Sequence, residues 1–66
     1  MIALRVNGEQ LALDGSTVSD LLAQTGRDPQ RVAVEINGDI CRRADYGGRT
    51  LNEGDSVEIV SLVGGG

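Results

Sequence analysis

Few side chains in this sequence have the chemistry that catalysis needs. The chain has 66 residues and no histidine, and its six basic residues are all arginine. Histidine is the commonest general base and metal ligand, so the serines lack their usual activating partner. The ten acidic residues are spread singly and form no recognisable catalytic spacing. We therefore expect no metal site and no catalytic centre built from these side chains.

Cys41 and the Arg42-Arg43 pair are the remaining reactive or charged candidates. A thiol can accept or pass on sulfur, and neighbouring arginines can activate it. Because there is no second cysteine and no histidine, we interpret Cys41 as a small, packed residue of a short strand. The arginine pair could contact an acidic or phosphate-bearing partner, but two solvated charges on a loop are the simpler interpretation.

The chain ends with three consecutive glycines, Gly64, Gly65 and Gly66. Glycine loses the most conformational entropy on ordering, so we expect a mobile tail that extends about 10 Å beyond the domain. A tail without side chains can thread a narrow channel in another protein and leaves its carboxylate unhindered. Adenylation by ATP would make that carboxylate an acyl donor without any acid or base from this chain. A frayed end without a role is the alternative.

Composition excludes several classes of function. A net charge of -4 argues against nucleic acid, which proteins usually bind through basic patches. A single cysteine cannot form an internal disulfide. No apolar run approaches the roughly 20 residues that span a membrane, and we expect no signal peptide at the start of the chain. We expect one small cytosolic domain, monomeric by itself, with an aliphatic core and Tyr46 as its only aromatic residue.

Local patterns predict the elements that would carry the tail. The pairs Asn7-Gly8 and Asn37-Gly38 favour the two-residue turns of β-hairpins. Thr17 can cap a helix that Gly26 would end. The predicted elements are a hairpin over residues 1–13, a helix over 18–25, strands over 31–36 and 39–41, a helical turn over 44–46 and a last strand over 56–63.

This order of elements predicts an α+β domain with a β-grasp, or ubiquitin-like, layout. A single amphipathic helix needs one face of a sheet to cover. The expected architecture is a mixed sheet of four to five strands packed on one main helix, with the first and last strands central and parallel. The domain would occupy residues 1–63 and the flexible tail residues 64–66.

The last strand also predicts a docking surface. If Val57 and Ile59 face the helix, the pleat turns Val60 and Leu62 outward, next to the tail. An exposed apolar patch often marks a partner site, so Val60, Leu62 and Val63 are candidate partner-binding residues. Cover by a loop or by the other edge of the sheet is the alternative.

An ordered set of short motifs extends over essentially the whole chain. The set comprises Val6-Asn7-Gly8, Thr17-Val18 with Asp20-Leu21-Leu22, Val34-Glu35-Ile36-Asn37-Gly38, Gly54-Asp55-Ser56-Val57-Glu58-Ile59 and Val63-Gly64-Gly65-Gly66. Each motif is common by itself, but the ordered set with a terminal Gly-Gly is specific. In this set the chain resembles the ThiS family, the sulfur carriers of thiamin thiazole biosynthesis. It departs from the family in lacking a proline that members often have near Cys41-Arg42.

The resemblance implies a protein co-substrate rather than an enzyme, with no bound cofactor. Gly66 would be the acyl carrier, and Gly64 and Gly65 would be the threading segment. An E1-like adenylating enzyme of the ThiF type would use Mg-ATP to activate the carboxylate, and a sulfur donor protein would convert it to a thiocarboxylate. A thiazole synthase of the ThiG type would receive the sulfur. The alternatives are a carrier for molybdopterin or another sulfur metabolite, or a ubiquitin-like module that only binds partners.

Overall fold

One mixed sheet and one helix make up residues 1–62, the part of the chain that the computed structural model describes. The elements are β1 (Ile2–Val6), β2 (Glu9–Leu13), α1 (Val18–Gln24), β3 (Val32–Ile36), β4 (Asp39–Cys41) and β5 (Ser56–Ser61). The strand order is β2-β1-β5-β3-β4. Only the β1–β5 pair is parallel. The expected mixed sheet, with the first and last strands inside it and parallel, is confirmed.

Both Asn-Gly pairs form the tight turns that the sequence predicts. The φ angles are 49° and 84° at Asn7 and Gly8, and 53° and 87° at Asn37 and Gly38. Positive φ at both central residues is the requirement of a type I′ turn. Asparagine and glycine are the residues that meet it at low cost. The turns fix the registers of both hairpins, and in the first one Leu4 lies opposite Leu11.

Helix α1 begins with a capping box and ends with a glycine motif. The Thr17 hydroxyl accepts a hydrogen bond from the Asp20 N–H (3.1 Å), and the Asp20 carboxylate accepts one from the Thr17 N–H (3.0 Å). Gly26 has a φ of 71°, and the Arg27 N–H donates to the Leu22 carbonyl at 2.8 Å. The helix ends one residue earlier than predicted because Thr25 already has the cap conformation.

The core lies between this helix and one face of the sheet. It is almost wholly aliphatic, as the composition requires. The buried residues are Leu4, Leu13, Val18, Leu21, Leu22, Val32, Val34, Ile36, Cys41, Tyr46, Leu51, Val57 and Ile59. Thr25, which follows the helix directly, is exposed, and its hydroxyl donates to the Leu21 carbonyl at 2.8 Å. Tyr46 is 4% exposed and donates its hydroxyl hydrogen to the Val32 carbonyl (3.3 Å).

Three predicted boundaries shift in the loops and at the last strand. Residues Pro29–Arg31 form a 3-10 turn, so β3 starts one residue later than predicted; Pro29 suits the start of such a turn. The second helical turn covers Arg43–Asp45, one residue earlier than predicted. Strand β5 ends at Ser61, although the Leu62 N–H still bonds to the Arg31 carbonyl (2.8 Å). Val63, the predicted last residue of that strand, lies outside the described residues.

Candidate functional site

The central strand β5 leads directly toward the glycine tail. Its buried residues Val57 and Ile59 face the helix, at 0% and 5% exposure. Val60 and Leu62 alternate with them and are 54% and 48% exposed. The predicted alternation along the strand is therefore confirmed, and within residues 1–62 neither a loop nor a sheet edge covers these two side chains. We call Val60 and Leu62 the docking face.

The outer side of the sheet around the docking face combines apolar and acidic side chains. In register, Ala33 on β3 lies opposite Val60, and Glu35 lies opposite Glu58. Ile40 on β4 lies opposite Glu35 and is 77% exposed. No arginine among residues 1–62 forms an ion pair with either glutamate. This face therefore presents an uncovered apolar and acidic surface beside the end of β5.

The side chains of the two turn asparagines form hydrogen bonds to residues at and next to strand β5, which the sequence does not predict. The Asn7 side-chain oxygen accepts from the Ile59 N–H at 2.7 Å, and its amide donates to the Ile59 carbonyl at 3.1 Å. The Asn37 oxygen accepts from the Ser56 N–H at 2.9 Å, and its amide donates to the Asp55 carboxylate at 3.0 Å. An Asn-Gly pair signals a turn, but its sequence does not reveal which distant strand the amide reaches.

Cys41 has the properties of a core residue. It is 6% exposed, and its thiol lies 3.8 Å from the Arg42 carbonyl oxygen. Burial raises the pKa of the thiol and outweighs the opposing effect of Arg49. A raised pKa keeps the thiol protonated and weakly nucleophilic. The interpretation of Cys41 as a packed residue agrees with this environment.

The two members of the arginine pair differ in their surroundings. Arg43 donates from Nε to the Pro29 carbonyl at 3.0 Å and from a terminal nitrogen to the Gln30 carbonyl at 3.4 Å. It therefore ties its loop to the turn before β3, although its side chain is exposed. Arg42 is exposed and lines a surface depression of about 410 Å³ together with Ile40 and Cys41. The two side chains thus have different local contacts.

Residues 1–62 contain neither a candidate metal site nor a candidate membrane-spanning helix. No three histidine, cysteine or carboxylate side chains come together there in an arrangement fit to hold a metal ion. Over the same residues, no helix has the length and apolar character that crossing a membrane requires. The predicted carrier residue Gly66, the threading residues Gly64 and Gly65, and the docking residue Val63 lie outside the described residues.

A mixed five-stranded sheet wrapped around one helix defines the class of this domain as β-grasp. The same fold is found in the crystal structure of the thiamine biosynthesis protein ThiS from Geobacter metallireducens. That structure matches with a TM-score of 0.82 and 35% identity, over 98% of this chain and 100% of that chain. The predicted fold class is therefore confirmed.

Sequence comparison then identifies the family. The ThiS family model matches residues 4–66, and the chain belongs to this family. The sulfur carrier protein ThiS of Thermus thermophilus is 36% identical over 61 residues, which cover 92% of this chain and 95% of that protein. A thiazole synthase of Paramagnetospirillum magneticum is 42% identical over 64 residues. The match covers 96% of this chain but only 20% of the synthase, so this chain spans about a fifth of that relative's length.

Proposed function

We propose that this protein is a sulfur carrier for thiamine biosynthesis and that it is consumed and regenerated as a co-substrate. The observation that carries the proposal is the ThiS family match, which runs through the glycines to residue 66. The composition is in keeping with it, since the chain has no histidine or lysine and a single, buried cysteine. In this proposal the partner enzymes bind the domain of residues 1–63, and residues 64–66 are the tail that reacts. The reaction takes place in the cytosol.

The reaction that we propose occurs at the carboxylate of Gly66. A carboxylate oxygen attacks the α-phosphorus of ATP, pyrophosphate leaves, and a C-terminal acyl-adenylate forms. A sulfide-level donor then attacks the carbonyl carbon and expels AMP, which leaves a thiocarboxylate. Mg-ATP is bound by the partner enzyme and not by this chain. Gly64 and Gly65 give the tail the narrow cross-section that a channel to a buried active site demands.

Three protein partners follow from this chemistry. An E1-like adenylating enzyme of the ThiF type activates the tail, a sulfur donor protein supplies the sulfur, and a thiazole synthase of the ThiG type accepts it. The similarity of this chain to a region of a longer thiazole synthase supports the last of these partners. The exposed Val60 and Leu62 are the surface that these enzymes contact in this proposal, and Val63 remains a candidate for the same role from the sequence alone.

Intact-mass spectrometry tests the proposal. The full chain is incubated with Mg-ATP, a ThiF-type adenylating enzyme of the same organism and a sulfur source. We expect a mass increase that corresponds to one oxygen replaced by one sulfur, located by fragmentation to Gly66. The matched control lacks only Gly66 and is expected to fold and to gain no sulfur. No mass change in the full chain would refute the proposal.

A ubiquitin-like module that acts by binding alone is the second candidate, favoured by the exposure of Val60 and Leu62. The two candidates differ in the effect of deleting Gly66. A binding module would keep its full activity without Gly66, whereas a carrier would still dock but would transfer no sulfur.

A further inference from the structure

Within the part of the chain that the structure describes, strand β5 has no neighbouring strand on one side at the point where the docking face begins. Strand β1 pairs with β5 at only two positions, Arg5 with Ser56 and Val6 with Val57, and then ends at the first turn. The residues of β5 that follow extend past the end of β1. On the other side β3 continues to pair with β5 as far as Ser61. The backbone groups of β5 that face this side near the docking face therefore need hydrogen-bond partners other than a strand.

The side chain of Asn7 provides these hydrogen bonds. The Asn7 N–H donates to the Val57 carbonyl at 2.9 Å, as the next residue of a parallel strand would. The side-chain amide then bonds to both the N–H and the carbonyl of Ile59. A primary amide has one acceptor and two donors, so it can imitate a peptide unit. The Asn7 side chain thus extends the β1–β5 ladder by one residue, in the place that a further peptide unit of β1 would occupy.

We infer that Asn7 is a positioning residue that fixes the docking face for the adenylating enzyme. Ile59 directly precedes Val60, and a fixed Ile59 backbone determines the direction in which Val60 points. Two further contacts act on the same strand end: Arg27 donates to the Ser61 hydroxyl at 3.0 Å, and the Leu62 N–H bonds to the Arg31 carbonyl. The inference rests on the proposed carrier function, because that function supplies the partner that grips this face.

The chain contains a matched control in its other Asn-Gly turn. Asn37 has the same left-handed conformation, and its amide also holds β5, but at Ser56 and Asp55. That end of the strand is remote from the docking face. Glycine is the suitable replacement at both positions, because it adopts positive φ without strain and removes only the side-chain bonds. Any general effect of losing such a bond will appear in both variants.

The experiment measures ATP–pyrophosphate exchange by the ThiF-type enzyme with the full chain as the varied substrate. For Asn7→Gly we expect KM to rise about threefold to tenfold, as for the loss of one or two net hydrogen bonds, with kcat unchanged. For Asn37→Gly we expect an unchanged KM. Amide hydrogen exchange supplies a readout without the enzyme: the Leu62 N–H should exchange faster in Asn7→Gly only. Asn7→Asp, which keeps the acceptor and loses the donor, should also raise KM.

The outcomes separate this inference from the proposed function. An unchanged KM for Asn7→Gly overturns the inference, and so does an equal rise of KM in both glycine variants. Faster Leu62 exchange with an unchanged KM overturns it as well, because the role of Asn7 would then be structural only. If the unmodified chain supports no exchange of pyrophosphate, the proposed function fails. The hydrogen-exchange measurement does not need the enzyme. An unchanged exchange rate of the Leu62 N–H in Asn7→Gly would therefore still refute the claim that Asn7 fixes the end of β5.

Discussion

Glu35 and Glu58 lie directly opposite each other on the neighbouring strands β3 and β5. Residues that exchange backbone hydrogen bonds alternate along this ladder with residues that do not. The Leu62 N–H bonds to the Arg31 carbonyl at one end, and the Asn37 N–H bonds to the Ser56 carbonyl at the other. Hydrogen-bonded pairs therefore occur at every second position between them. The two glutamates form one of these pairs, in which the Cα atoms are about 5.5 Å apart. Like charges directly opposite each other destabilise a sheet. Repulsion between these two carboxylates therefore lowers the stability of the domain, at a point on its outer face beside the exposed apolar residues.

Replacing one member of this pair should stabilise the domain. For Glu58→Gln we expect the free energy of unfolding to rise by about 0.2–1 kcal/mol, because the repulsion with Glu35 is removed. Urea denaturation at low ionic strength measures it. Glu9→Gln is the matched control, since it removes the same charge but lies opposite Val6. Equal stability of Glu58→Gln and Glu9→Gln would contradict the prediction, and high salt should diminish the difference.

A charge on the docking face should weaken partner binding without unfolding the domain. Leu62 is 48% exposed and is not part of the core cluster, so Leu62→Glu is expected to fold normally. Its Kd for the adenylating enzyme should rise about tenfold or more, the usual effect at a central apolar contact. Isothermal calorimetry measures the Kd. Ala12→Glu, on the distant edge strand β2, is the control, and an affinity of Leu62→Glu equal to that of the unmodified chain would disprove the role of this face.

Stability should fall in acid because hydrogen bonds lower the pKa values of two aspartates, Asp20 and Asp55. The N–H groups of Ser16 and Thr17 lower the pKa of Asp20. The Asn37 side chain, followed by the Asn52 N–H, lowers the pKa of Asp55. A folded-state pKa below the unfolded value of about 3.9 gives stability that is present above that pH. This contribution is lost as the pH falls through the folded-state pKa.

Urea midpoints measured across the acid range test this expectation. The midpoint should decline below about pH 4, and the decline should be smaller in Asp20→Asn and in Asp55→Asn. Both variants should also be less stable than the unmodified chain at neutral pH. Asp39→Asn is the control, because the Asp39 carboxylate accepts no hydrogen bond within residues 1–62. A midpoint that does not change with pH would show that these bonds do not contribute to stability.

Cys41 should be unreactive in the folded protein. Its burial and raised pKa predict that iodoacetamide alkylates it at least about tenfold more slowly in the native state than in urea. We also expect Cys41→Ala to support full sulfur loading of the tail, although the lost packing should cost about 1 kcal/mol of stability. Mass spectrometry follows both reactions. Rapid native alkylation, or a loss of sulfur loading in a folded Cys41→Ala, would give the thiol a role in transfer.

The features predicted well from sequence are those governed by local chemistry. The positive φ of Asn7 and Asn37, the cap at Thr17 and the alternation along β5 each depend on neighbouring residues alone. The exposure of Leu62 followed from the same alternation. These local signals agree with one another, which explains why they also indicated the correct fold.

The features that were missed join residues far apart in the chain. The bond from Asn7 to Ile59 spans 52 residues, and that from Arg43 to Pro29 spans 14. Glu53 likewise accepts a hydrogen bond from the Ala3 N–H at 2.8 Å. A polar side chain can reach many backbone groups, and only the completed fold decides which group is near. The sequence therefore predicted the exposure of Val60 and Leu62, but not the Asn7 side-chain amide that bonds to the neighbouring Ile59.

The burial of Tyr46 gives this protein a built-in optical reporter. With no tryptophan and no phenylalanine in the chain, its near-ultraviolet absorption and intrinsic fluorescence come from this one ring. The ring sits in the interior with its hydroxyl bound to the Val32 carbonyl, so its signal will change when that interior opens. Denaturation of the domain can therefore be followed from a single known position, without attaching a label.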